Sequence, residues 1–182
     1  MPSPDKSRPP DRREFCKKAC CVVIGGVVGL APVIAGLPVI FDPLRHSVGA
    51  TGAIKVTTLE SLPNDSVPRK FPIIADRSDA WNKFPQVPVG AVYLRRTSET
   101  AVQAFNVVCP HAGCFVDYVP ERKGYLCPCH NSTFGLDGKI SDAKSPSPRG
   151  LDDLRVEIRT GGEIWVEFKN FIPGHAEKVV KT

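Results

Sequence analysis

Apolar positions along the chain follow two rhythms. Residues 19–41 run for 23 positions without a charge. At about 1.5 Å per residue, a helix of that length crosses the roughly 30 Å hydrocarbon core of a bilayer. The run is longer than the apolar stretch of an ordinary export signal, so it reads as a retained transmembrane anchor. Val48-Gly49-Ala50 offers a weak cleavage site. Pro32 and Pro38 predict kinks. Gly25 and Gly29 have the spacing for close helix packing, which is also the ordinary glycine content of membrane helices.

Beyond residue 53 the apolar runs are short and strand-like: 53–58, 69–75, 91–96, 101–108, 154–159 and 164–168. Residues 155–159 alternate as a half-buried strand does, and Gly161-Gly162 marks a hairpin turn between the last two runs. No second helical period is present. The expected architecture is mainly β, an antiparallel sandwich over 54–171 joined to one N-terminal transmembrane helix. Residues 42–53, with Pro43, Gly49 and Gly52, read as a hinge linker. Residues 63–88 look turn-rich, with Trp81 packed under a loop. Residues 172–182 look like a solvated tail carrying an exposed His175.

Charge refines the amino-terminal half of this picture. Net charge is +5, and residues 1–18 hold six Lys/Arg against three acids, so +3 lies in that tail. The rest is nearly balanced and has no basic patch of the kind nucleic acid requires. A basic flank before an apolar span predicts a cytoplasmic amino terminus and a domain on the outer face of a bacterial cytoplasmic membrane. Within it, Arg12-Arg13-Glu14-Phe15-Cys16-Lys17 resembles a twin-arginine export signal. Such a signal suits a cargo that crosses the membrane already folded around its cofactor.

Seven cysteines are present. Cys16, Cys20 and Cys21 sit at the start of the apolar run and receive no chemistry. The other four fall in two boxes with two histidines, Cys109-Pro110-His111-Ala112-Gly113-Cys114 and Cys127-Pro128-Cys129-His130-Asn131-Ser132. Cys109, His111, Cys127 and His130 form one C-x-H…C-x-x-H set, leaving Cys114 and Cys129, one per box. Thiolate with imidazole suits zinc and also iron–sulfur clusters. A structural zinc site would use the same set but has no need of the extra cysteines. For those two, a disulfide beside a redox cluster and a pair of free thiols are the alternatives; an oxidising compartment favours the disulfide.

These boxes, with the stretch continuing to Phe134 and Gly135, resemble the Rieske iron–sulfur subunit of quinol-oxidising cytochrome bc complexes. The resemblance implies a Rieske-type sandwich with its cluster-binding part at about 105–151 and the binding loops at the tip. It implies one [2Fe–2S] cluster on Cys109, His111, Cys127 and His130, and a Cys114–Cys129 disulfide. Ser132 matches a serine whose hydroxyl bonds a cluster sulfur, and His130 the histidine that meets quinol. Ser145-Pro146-Ser147-Pro148 looks like the family's proline loop, with serine for its first glycine. Two thiolates and two neutral imidazoles leave the oxidised centre near neutral. Potentials of roughly −150 to +300 mV follow, against about −400 mV for four thiolates.

Three departures stand out. Phe134 replaces a tyrosine that bonds a cysteine sulfur, which predicts a lower potential and a low-potential quinol such as menaquinol. Asn131 replaces a glycine, and Ala112 replaces a bulkier apolar residue that shields the cluster. The implied partners are cytochrome b and a c-type cytochrome, with quinol as substrate and membrane lipid around the anchor. The implied function is electron transfer from quinol to cytochrome c, with no catalysis by the chain alone. The small Rieske subunit of another exported oxidoreductase, such as arsenite oxidase, has a similar layout, but the Ser-Pro-Ser-Pro segment favours the bc assignment.

Overall fold

The structure is a computed structural model that describes residues 11–41, 52–78 and 82–181. The chain divides into two units near residue 46. The first is one helix, α1 (Arg12–Phe41). Asp11 caps it, its carboxylate accepting the Arg13 N–H at 3.3 Å and its carbonyl the Phe15 N–H at 3.0 Å. Helix therefore starts seven residues before the uncharged run, with Arg12, Arg13, Lys17 and Lys18 on its first turns. It continues through Pro32 and Pro38. Arg12–Val39 is long and apolar enough to cross a membrane. Among the described side chains of the helix, Val, Ile and Leu are exposed, which fits a single-pass anchor in lipid. The hinge expected at 42–53 and Trp81 lie outside the described residues, apart from Gly52 and Ala53.

The second unit is mainly β, and every strand pair is antiparallel. β1 (Ala53–Thr58), β10 (Glu163–Glu167) and β9 (Val156–Arg159) form one sheet in the order β1-β10-β9. A second runs β2 (Arg69–Ser78), β3 (Lys83–Arg96), β4 (Val102–Asn106), β8 (Asp153–Leu154). The third is β5 (Asp117–Val119), β6 (Gly124–Cys127) and β7 (Ser132–Gly135). Gly161 and Gly162, at φ 81° and 73°, make the β9–β10 turn that the glycine pair predicts.

Alternation along β3 and β4 splits the interior in two. Val92, Leu94 and Ala104 face a core shared with Ile164 and Val166 of β10 and Ile73 of β2. Tyr93 and Phe105 face the other way, onto Val107, Cys109, Val116, Tyr125, Cys127 and Phe134. The four-stranded sheet is thus a middle layer, and both box cysteines that lack a disulfide lie in the second core.

Several elements differ from the sequence expectation. The segment 63–88 is half hairpin: β2 reaches Ser78 and β3 starts at Lys83. Register shifts at Ile73/Ile74 and Ala75/Arg77, with β2 at a sheet edge, accommodate Pro72, Pro85 and Pro88. The run 154–159 is two strands, because Leu154 pairs with β4 and Val156 with β10. Residues 172–181 are largely exposed, His175 included, yet they fold back as a strap. Ile172 N–H donates to Val179, Lys181 N–H to Asn170, and Gly174 N–H to Pro110.

Candidate metal centre

The first box leaves β4 as a tight loop closed at its base. The Asn106 carboxamide oxygen accepts the Val108 N–H at 3.0 Å. Cys109 N–H donates to Cys114 at 2.7 Å, Gly113 N–H to Cys109 at 3.0 Å, and Val116 N–H to Val107 at 2.9 Å. The second box is the turn between β6 and β7, with Cys127 opposite Ser132. Asn131 there has φ 59°, the left-handed region where glycine is free and asparagine is among the best-tolerated alternatives. The departure at this position therefore keeps the turn. The proline loop abuts the second box, Ser145 Oγ accepting the Thr133 N–H at 3.3 Å. Glycine could not make that bond.

These loops bring all six box residues together. Cys114 and Cys129 form a disulfide, Cα–Cα 6.6 Å, which clamps one box to the other. The Cys127 sulfur lies within 4.8 Å of both its sulfurs. Those two sulfurs are spent on each other, so Cys127 is the one open thiol of that trio. Cys109 and Cys127 are buried and unbridged. Burial pushes the Cys109 thiol up, and the neighbouring Cys127 sulfur adds to the rise. The His111 N–H and Ser132 hydroxyl work in the opposite direction. The His111 and His130 rings meet edge to face, centroids 4.8 Å apart and planes at 88°. His111 is half-buried and His130 exposed.

Two buried thiols crowded together are unfavourable unless something binds them. The same holds for His111 Nδ1 and Ser132 Oγ, both buried without a full hydrogen bond to protein. Two neighbouring buried thiols with a serine hydroxyl beside one of them, and two histidine rings in contact on the same two loops, make a donor set that fits an iron–sulfur group. The sequence matches the Rieske [2Fe-2S] domain over residues 65–160. The chain belongs to the Rieske family.

Among its relatives is the menaquinol:cytochrome c reductase iron-sulfur subunit of Geobacillus thermodenitrificans. It is 25% identical over 82% of this chain and 87% of that protein. The cytochrome b6-f complex iron-sulfur subunit of Synechococcus elongatus is 32% identical over 81% of this chain and 79% of that one. A cyanobacterial plasma membrane Rieske protein from Synechocystis superposes with a TM-score of 0.45 at 22% identity, covering 63% of this chain and 99% of that one. As a Rieske domain, the chain carries a [2Fe–2S] cluster, and as a relative of bc- and b6f-type subunits it is an electron-transfer protein.

Some residues around the site had no mark in the sequence. Asn106, Ser147 and Asp152 are buried polar side chains, and Arg149 pairs with Asp152 through two 2.9 Å bonds. Tyr125 lies within the second core with its hydroxyl unpartnered, and burial holds its pKa far above the ordinary phenol value. Phe134, opposite Tyr125 on β7, is buried and brings no hydroxyl to the sulfurs.

Proposed function

We propose that Cys109, Cys127, His111 and His130 would hold the cluster, with the Ser132 hydroxyl placed to donate to one of its sulfurs. His111 binds through Nδ1, the buried nitrogen without a partner. When bound, the group takes up and gives back one electron at a time near neutral charge. His130 is the exposed member of the set, and its free ring nitrogen accepts a hydrogen bond from a quinol hydroxyl. It takes the quinol proton as the electron leaves and releases it on the outer side. A partner cytochrome b would take the second quinol electron, and a c-type cytochrome would be the acceptor beyond this chain. The chain alone does not turn over; its residues position electron and proton transfer.

Menaquinol is the substrate that fits best, because Phe134 lacks the hydroxyl that raises the potential, and the Geobacillus relative is a menaquinol enzyme. The helix is the anchor, its basic first turns hold the amino terminus inside, and the Arg12–Lys17 stretch acts as a twin-arginine signal. The observation that supports the proposal is the pair of neighbouring buried thiols, Cys109 and Cys127, with the His111 and His130 rings in contact on the same two loops. EPR of reduced native membranes tests it: a Rieske signal whose shape changes with a quinol-site inhibitor is expected. A signal indifferent to an inhibitor that binds the membranes refutes the quinol role, and absence of any Rieske signal refutes the ligand set.

A further inference from the structure

Among the described residues, the buried Asn106, Ser147 and Asp152 are linked through Arg149 and the backbone into one network. Arg149 follows the proline loop, and its carbonyl accepts from Ser147 Oγ at 2.7 Å. Its guanidinium forks onto both oxygens of Asp152. It also donates to the backbone carbonyls of Ile172 (3.3 Å) and His175 in the strap. The Asp152 carbonyl accepts from Asn106 N–H at 2.8 Å, and the Asn106 carboxamide donates to Lys169 at 2.9 Å. One cation therefore joins the proline loop, the root of the first box and the chain's last segment.

The strap segment between those two carbonyls lies on the first box. Gly174 N–H donates to the Pro110 carbonyl at 2.8 Å. Pro173 stands 3.6 Å from where a side chain on Gly113 would begin, and Gly174 borders the His111 carbonyl. Pro110 is fully buried and sits between Cys109 and His111. The strap thus covers the backbone joining two residues of the metal set, on the loop where Ala112 leaves little side-chain cover.

We propose that Arg149 is a positioning residue that holds the strap 172–175 against the first box, where the strap fixes His111 and keeps water from that side of the centre. This rests on the ligand assignment above. Water admitted there stabilises the added negative charge of the reduced state and raises the potential. Loss of a nearby cation would lower it, so the sign separates a positioning role from an electrostatic one.

The test is an EPR-monitored redox titration of the full-length protein in native membranes. It compares Arg149→Lys, which keeps the charge but not the fork, with a chain ending at Phe171 and with the combination. The expected result is a rise in potential and an altered EPR line shape in each, with no further shift when they are combined. Unchanged potential in either single variant that retains the signal overturns the proposal. So do a lowered potential, or shifts that add. If the unaltered protein gives no Rieske signal, the ligand assignment has failed instead; that outcome refutes the proposal's foundation rather than the strap contact.

Discussion

Replacing both Cys114 and Cys129 by alanine should cost the protein much of its thermal margin and its cluster. The two residues are 15 apart in sequence. Closing a loop of that length removes chain entropy from the unfolded state worth about 3 kcal/mol. For a domain of this size each kcal/mol moves the midpoint by about 3–5 °C, so the apparent Tm should fall by about 10–15 °C. A second effect is local. The bond ties the loop bearing Cys109 and His111 to the turn bearing Cys127 and His130. Few other links in the described residues join the two boxes directly, so their separation becomes free to grow. Circular dichroism of the detergent-solubilised full chain reads the first effect, and EPR of reduced membranes the second. A double variant that melts within 2–3 °C of the parent (against the roughly 10 °C expected) and keeps a full Rieske signal would refute the clamp as both a stability element and a spacer.

Asn131→Val places a β-branched side chain at φ 59° and should cost about 1–2 kcal/mol, whereas Asn131→Gly should be neutral or slightly stabilising, both read by thermal unfolding. Ser145→Gly removes the acceptor of the Thr133 N–H; faster hydrogen exchange at Thr133 and a loss of about 1 kcal/mol are expected. Phe134→Tyr should raise the reduction potential by about 40 mV, one hydrogen bond of about 1 kcal/mol converted for a one-electron couple, provided redox titration finds the cluster intact.

Much of the site was legible because ligand chemistry is local. Cys109 and His111, and Cys127 and His130, lie only two and three positions apart along the chain, and one cysteine left over in each box raises the disulfide. The sheets around the first core, the base of the domain, were legible as short apolar runs in β1 and β10 and as alternation along 155–159. The hairpin of β2 and β3 was not, because proline reads as a breaker and the register shifts that admit it are invisible locally. β5 to β7 were missed because they are three or four residues long and exist only as the frame of the second box. Asn106, Arg149 and Asp152 escaped for another reason. Such residues are mostly found at surfaces; here Asn106 and Asp152 are buried and Arg149 half-buried, because Asn106 and Arg149 donate to backbone carbonyls of distant segments and Asp152 accepts from Arg149. The strap went unseen for the same cause: its charges look solvated, yet Lys178 bonds Asp153 and lies over Phe171.

The partition made by β3 has a consequence for how this domain can change over time. Val92 and Leu94 belong to the base and Tyr93 to the cluster-bearing half. Substitutions deep in the base, at Ile164 or Val166, share no side-chain neighbour with Cys109 or Cys127, and their costs should simply sum with changes near the boxes. The base can therefore drift in sequence while the redox half stays constant. The exception is the Val92-Tyr93-Leu94 triplet, with its partner positions on β4, through which a repacking of one half must shift the backbone of the other. Those few positions are where substitutions in the two halves should couple.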